Sequence, residues 1–215
     1  MLANVFMHYA LDRWLTEQFP TAAFERYADD AVVHCASLAQ ARQVLAALHE
    51  RMAQVGLQLH PDKTGIVYCK DSNRRAEFAR TSFTFLGFTF RPRCARRKDG
   101  VMFTSFLPAV SKDALKKMSA RVRSWRLHRR VNSTGAQLAS IVNPVVRGWI
   151  AYYGAFYHTA LYPVLHRINT YLLRWIMNKY KRLNTWKKAT QAMRDAIQRN
   201  PRYFAHWIWA KPAPH

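Results

Sequence analysis

The sequence predicts an α+β protein: antiparallel β-hairpins packed with helices, followed by an all-α, strongly basic part. Three observations carry this expectation. Short runs of alternating apolar and polar residues, separated by turn residues, recur up to about residue 107, as in half-buried strands. From Ser111 onward, apolar residues recur at three- and four-residue spacing, the period of amphipathic helices. Charge divides near the same place. Residues 1–90 hold nine Lys/Arg and nine Asp/Glu, whereas residues 91–215 hold 25 basic and three acidic residues, the whole of the formal net charge of +22.

In order, residues 2–19 read as a helix with a loose stripe of Leu2, Val5, Phe6, Tyr9, Leu11 and Leu15, stopped by Pro20. Residues 24–28 and 31–35 read as two strands with Asp29 and Asp30 at the hairpin tip, because Asp suits turns better than strands. Ser37 is placed to cap a helix running to about Val55 and closed by Gly56. Next come a short alternating segment at residues 57–59, a turn at residues 60–62, a strand at residues 64–69, and a polar loop or short helix to Arg80.

Residues 83–90 alternate with Gly87 inside, which suggests a bent strand, and residues 101–107 alternate again across an Asp99-Gly100 hairpin turn. The connection, residues 91–98, has five basic residues in eight and reads as a loop.

Ser111 caps a helix with Leu115, Met118, Val122 and Trp125 inward; its other faces carry Lys112, Lys116, Lys117, Arg121, Arg123, Arg126, Arg129 and Arg130. A shorter helix is expected over residues 133–142, and Asn143-Pro144 reads as cap and first residue of another, to about Tyr157. After Pro163 a long helix turns Leu165, Ile168, Leu172 and Trp175 inward, with Arg167, Arg174 and Lys181 as a basic stripe. Thr185 caps a last helix through Arg199. Expected boundaries are residues 1–107, 108–183 and 184–215.

Composition excludes several classes. Cys35, Cys69 and Cys94 are widely spaced with no Cys-x-x-Cys pair, so neither a disulfide framework nor a zinc site is implied, and a reducing, cytoplasmic setting is the simplest reading. No signal peptide pattern is present. Residues 148–166 lack Asp, Glu, Lys and Arg, but four tyrosines, two histidines and Pro163 make them a poor membrane span. The basic residues are spread over several elements rather than one amphipathic helix, which favours nucleic acid over membrane as the polyanion. Tryptophans crowd the basic half; Trp125 and Trp175 lie on apolar stripes and are expected in the core.

The Asp29-Asp30 pair is the chemical clue. Two carboxylates fixed on a hairpin are hard oxygen ligands of the kind that Mg²⁺ takes in phosphoryl transfer. Alone, such a pair is commonly a solvated turn, and its neighbours decide.

In their order, the motifs of this chain resemble the reverse transcriptase/maturase proteins of bacterial group II introns. Leu2-Ala3-Asn4-Val5-Phe6 is similar to the end of that family's substrate-pocket motif. Phe24-x-Arg26-Tyr27-Ala28-Asp29-Asp30 resembles its catalytic hairpin, and Gly56-Leu57-x-Leu59-x3-Lys63-Thr64 its next palm motif. Phe85-Leu86-Gly87-Phe88 resembles the primer-grip turn. Asn143-Pro144-x2-Arg147-Gly148-Trp149-x3-Tyr153 resembles the thumb, or maturase-specific domain, and Phe204-Ala205-His206-Trp207 an ending common in the family.

The resemblance implies a partial polymerase palm followed by an all-α thumb. It implies Asp29 and Asp30 as Mg²⁺ ligands, with Lys63 near the leaving pyrophosphate. Its partners would be group II intron RNA, an RNA template with a DNA primer, and target DNA, in a bacterial cytoplasm. Candidate nucleic-acid contacts are Arg91, Arg93, Arg96, Arg97 and Lys98 in the basic connection, and Lys116, Lys117, Arg121, Arg123, Arg126, Arg147, Arg167, Arg174 and Lys181 on the helices.

In that family three carboxylates hold the metals, the first on a strand upstream of the substrate-pocket motif. The sequence opens inside this motif, so a chain lacking that strand and the fingers is expected, inactive as a polymerase by itself. Asp12, Glu17 and Glu25 fall in the wrong elements to replace the ligand. The competing expectations are an RNA-binding maturase module without polymerase activity and an inactive remnant of a mobile element.

Overall fold

The computed structural model describes residues 2–74 and 76–210. The chain forms two compact units: residues 1–86 with 94–104, and residues 87–93 with 105–215.

The first unit opens with an interrupted helix: α1 (Leu2–Met7), a π-helical turn (His8–Asp12) and α2 (Arg13–Gln18). The interruption is not visible in the apolar stripe. Within the π turn the carbonyls of Tyr9 and Ala10 accept bonds from Arg51 Nη2 and Nε at 3.4 and 3.0 Å, an outside partner for a stretch whose ladder is irregular. The strands β1 (Phe24–Tyr27) and β2 (Asp30–Val33) form an antiparallel pair, and α3 (Leu38–Gln54) follows. Ser37 caps α3 by accepting from Gln40 N at 3.1 Å, and Gly56, at φ +73°, lies just beyond its end. Leu11, Leu15, Val44 and Met52 form the buried centre of this unit, with Trp14, Phe24, Val33 and Leu48 packed around them.

The strand expected at residues 64–69 does not form; among the described residues no strand lies between α3 and Phe83. Its backbone bonds are isolated: Tyr68 N donates to the Arg80 carbonyl at 2.9 Å and Ser72 N to the Thr104 carbonyl at 3.0 Å.

A second sheet has the order β3 (Phe83–Phe85), β4 (Phe88–Arg96), β5 (Met102–Val110). Two expectations are corrected here. Gly87 does not bend a strand: Leu86 (φ +50°) and Gly87 (φ +79°) are the two loop residues between β3 and β4, both with the positive φ of a type I′ hairpin turn. The basic connection is mostly not a loop, because β4 runs through it to Arg96 and the turn is left to residues 97–101.

Beyond its share of β4 and β5, the second unit is helical: α4 (Lys112–Ser124), α5 (Gly135–Tyr153), α6 (Tyr162–Lys179) and α7 (Trp186–Arg199), joined by short 3₁₀ turns. Ser111 and Thr185 cap α4 and α7 as expected. The two helices expected around Asn143-Pro144 are one. Thr134 and Gln137 form a capping box at the start of α5, and Pro144 lies inside it. Asn143 caps nothing. Its side chain instead donates to the Tyr203 carbonyl at 3.0 Å and accepts from Ala205 N at 2.8 Å. Helix α4 is also shorter than its stripe suggests, because Arg126 takes a left-handed φ of +49° and breaks the helix before Arg129. Lys181 lies past the end of α6, in a 3₁₀ turn, so the expected stripe stops at Arg174.

One core joins these helices, with Val122, Leu127, Leu138, Val142, Val146, Leu165, Ile168, Leu172 and Met193 almost wholly excluded from solvent. Trp125 and Trp175 are buried in it, and Phe204 and Trp207 pack on it from the C-terminal segment. His206 is completely buried. Its Nε2 lies 2.8 Å from Asn169 Oδ1, which also accepts from Trp207 Nε1, while Asn169 Nδ2 donates to the Ala210 carbonyl. Burial, and secondarily His166, push the His206 imidazole down to about 3.

Candidate functional site

The carboxylate pair is built by the register of β1 and β2. Tyr27 pairs with Asp30, so the turn is Ala28-Asp29, and Asp30 opens the second strand instead of sharing the tip. Ala28 carries a φ of +56°, the strained residue that lets the chain reverse in two residues. Alternation puts Glu25, Tyr27, Asp30 and Val32 on one face; Phe24, Arg26, Ala31 and Val33 occupy the other. Asp29 and Asp30 are both exposed.

Arg26 holds this hairpin. Its Nε and Nη2 donate to Asp12 Oδ1 and Oδ2 at 2.6 and 2.7 Å, a two-point carboxylate fork, and its Nη1 donates to the Ala28 carbonyl at 2.7 Å. The side chains are only 12% and 20% exposed. Hydrogen bonding from Arg26 holds the Asp12 carboxyl below its usual range, against the opposing effect of burial. A guanidinium between a helix and the turn carbonyl thus fixes the residue that precedes Asp29. On the solvent face His34 Nε2 meets Glu25 Oε2.

Among the described residues, no group of three or more Asp, Glu, His or Cys side chains stands close enough to hold a metal. Mg²⁺ sites commonly use one or two carboxylates and complete their shell with water and substrate phosphates. Two adjacent exposed carboxylates on a braced hairpin fit such an ion in donor type and number. Lys63 is exposed on the turn closed by Thr64 N donating to the His60 carbonyl, and it makes no ion pair with either aspartate.

The other candidates separate by what they already bind. Arg93 is half-buried: it donates to the Leu107 and Thr89 carbonyls at 3.2 Å each and sits 5.1 Å from the Tyr157 ring centroid. Burial first, and then Arg91, lower its pKa, and its role is to fasten β4. Arg97 pairs loosely with Asp99 at 3.8 Å, and Lys116 with Asp113 at 3.5 Å. Arg91, Arg96, Lys98, Lys117, Arg121, Arg123, Arg126, Arg147, Arg167, Arg174 and Lys181 are exposed. Asp113 and Asp195 are the two acidic residues of the second unit, so most of its cations have no carboxylate to meet.

Residues that pattern reading missed are Arg129 and His128 as members of a charged cluster and Lys179 as a structural donor. The first two were hidden because the periodicity of α4 continues in sequence past its end, and Lys179 because the carbonyls it meets lie 48 and 46 positions away.

No helix among the described residues is long and apolar enough to cross a membrane. None of the curated proteins compared matches the chain. Residues 1–90 match the family described as reverse transcriptase (RNA-dependent DNA polymerase), and residues 115–194 match the group II intron, maturase-specific domain. The braced Asp29-Asp30 hairpin falls within the first match and the basic helices within the second. With both matches in this order along most of its length, the chain belongs to the group II intron reverse transcriptase/maturase family.

Proposed function

We propose that the chain binds group II intron RNA through its basic helical unit to assist splicing, and carries on its hairpin part of the family's nucleotidyl-transfer centre. The observation that carries this is the separation of charge: a unit with exposed Lys and Arg on several helices has only Asp113 and Asp195 to offset them. Such a surface is repelled by itself and satisfied by phosphates and 2′-hydroxyls of a folded RNA. The contacts are proposed at Lys116, Lys117, Arg121, Arg123, Arg126, Arg147, Arg167, Arg174 and Lys181, with Arg91, Arg96, Arg97 and Lys98 on the ribbon.

On the hairpin, Asp29 and Asp30 would hold Mg²⁺, which supplies charge neutralisation and Lewis acidity toward a primer 3′ oxygen. Asp29 sits in the turn and is the stronger candidate, since Arg26 fixes the carbonyl just before it. Lys63 would offer a cation to the leaving pyrophosphate. Template RNA with a DNA primer, and target DNA, are the partners of this second activity.

Splicing of a precursor containing the cognate intron, measured at limiting Mg²⁺ with and without the purified chain, tests the first role. Acceleration is expected; RNA bound without acceleration would refute the maturase role. The chain by itself is expected not to incorporate deoxynucleotides on a primed RNA template, and any incorporation that is measured and survives Asp29→Ala refutes the metal assignment.

A further inference from the structure

Where α4 ends, the chain does something that neither the motifs nor the family match assigns. Arg126 adopts φ +49°, and residues 127–129 close a 3₁₀ turn anchored by Leu127, which is wholly buried. The end of α6 then binds the backbone of this loop from one side. Asn178 Nδ2 donates to the His128 carbonyl at 2.8 Å and Trp175 Nε1 to the Arg130 carbonyl at 2.9 Å. Lys179 Nζ donates to the Val131 and Ser133 carbonyls at 2.9 and 2.8 Å. Four carbonyls in six residues are thereby satisfied by one helix, which leaves the loop little freedom to rearrange.

What this rigid loop displays is positive. Arg126, Arg129 and Arg174 all act on His128, whose pKa is lowered by burial first and then by these three neighbours. His128 stacks on Tyr171, with centroids 5.4 Å apart, and Arg174 lies over the same tyrosine ring at 6.0 Å. None of the three arginines makes an ion pair with a carboxylate of the described residues. Like charges gathered on a flexible loop would spread apart; here buried Leu127 and the carbonyl bonds hold them together against their repulsion. A site that keeps guanidiniums together without a counter-charge is organised in advance for an anion, at low ordering cost on binding.

We propose that Arg126, Arg129 and Arg174, around the His128–Tyr171 stack, form a preformed site for phosphodiesters of a folded RNA, with Lys179 as its positioning residue. This rests on the RNA-binding reading above and names one place where that binding is organised in advance. RNA is favoured over an anionic membrane because the cations are spread over a loop and a neighbouring helix rather than along one amphipathic helix, and because the region lies within the maturase-specific match.

The test is equilibrium binding of the full chain to a labelled RNA stem-loop over a range of monovalent salt. Arg129→Gln and Arg174→Gln are exposed changes, and each is expected to lower the log–log salt slope by about 1. Lys187→Gln, on the exposed face of α7, serves as the charge control and is expected to leave the slope unchanged. Lys179→Met is expected to weaken binding and Lys179→Gln, which keeps an N–H donor without the charge, to restore part of it, a rescue that loss of charge alone does not predict. Wild-type binding with unchanged slopes in both arginine variants overturns this site while leaving the RNA-binding reading intact. Absence of wild-type binding overturns both. Binding to phosphatidylserine vesicles that is lost in Arg129→Gln and Arg174→Gln, beside RNA binding that is not, assigns the cluster to membrane and refutes the proposal.

Discussion

Replacing Arg26 with methionine keeps an unbranched apolar stem and removes the guanidinium that braces the Asp29-Asp30 hairpin. Three donor nitrogens are lost: Nε and Nη2 to Asp12 at 2.6 and 2.7 Å, and Nη1 to the Ala28 carbonyl at 2.7 Å and to Asn4 Oδ1 at 3.4 Å. A fully exposed ion pair contributes up to about 1 kcal/mol, whereas breaking a fully buried one costs about 3–5 kcal/mol. With 12% and 20% of the side chains exposed, the pair stands between these limits, and about 2 kcal/mol is expected. In amide hydrogen exchange this corresponds to roughly 30-fold faster exchange at the paired amides of β1 and β2. The stabilisation also carries a pH signature. The folded Asp12 carboxyl lies below its unfolded value, so the contribution is full above about pH 4 and lost as pH falls through the lowered value. Asp12→Asn should reproduce most of the loss at neutral pH and remove that acid-dependent step. Unchanged exchange in Arg26→Met, with α3 as internal reference, would refute the brace.

Three further outcomes follow from the second unit. Asn169→Leu strands the bonds of His206, Trp207 and the Ala210 carbonyl, so thermal denaturation should show a loss of about 3 kcal/mol, roughly 10 °C in Tm. Because buried His206 stays neutral down to about pH 3 while an unfolded histidine takes a proton near 6.5, stability should fall by about 1 kcal/mol per pH unit below 6.5 in denaturant titrations. Gly87→Ala combines a φ of +79° with a Cβ placed 2.8 Å from Tyr153 Oη; it should destabilise by about 1–2 kcal/mol, and a neutral result would remove the requirement for glycine in that turn.

Much of the architecture was legible because it depends on local chemistry. The caps at Ser37, Ser111 and Thr185, the apolar stripe of α6 and the Asp99-Gly100 turn are each written within a few residues. What stayed hidden depends on distant partners. The π turn in the first helix has carbonyl acceptors for Arg51, a residue some forty positions away. Asn143-Pro144 looks like a helix start, yet the asparagine is engaged with residues 203 and 205, and the proline is carried within α5. At the hairpin the motif named the two aspartates but not their register: the pairing of Tyr27 with Asp30 shifts Asp30 out of the tip. The basic surface was legible as a total. Its organisation at residues 126–130 was not, because the periodicity of α4 continues in sequence past the point where the backbone turns left-handed.

The central claim is that phosphate contacts by the basic helical unit hold a folded RNA. Its most direct measurement is the salt dependence of equilibrium binding between the full chain and a structured intron RNA. A steep linear fall of log affinity with log salt is expected, with a slope of several units and no loss in Asp29→Ala. A flat response, or a slope reduced by Asp29→Ala as much as by Arg129→Gln, would contradict it.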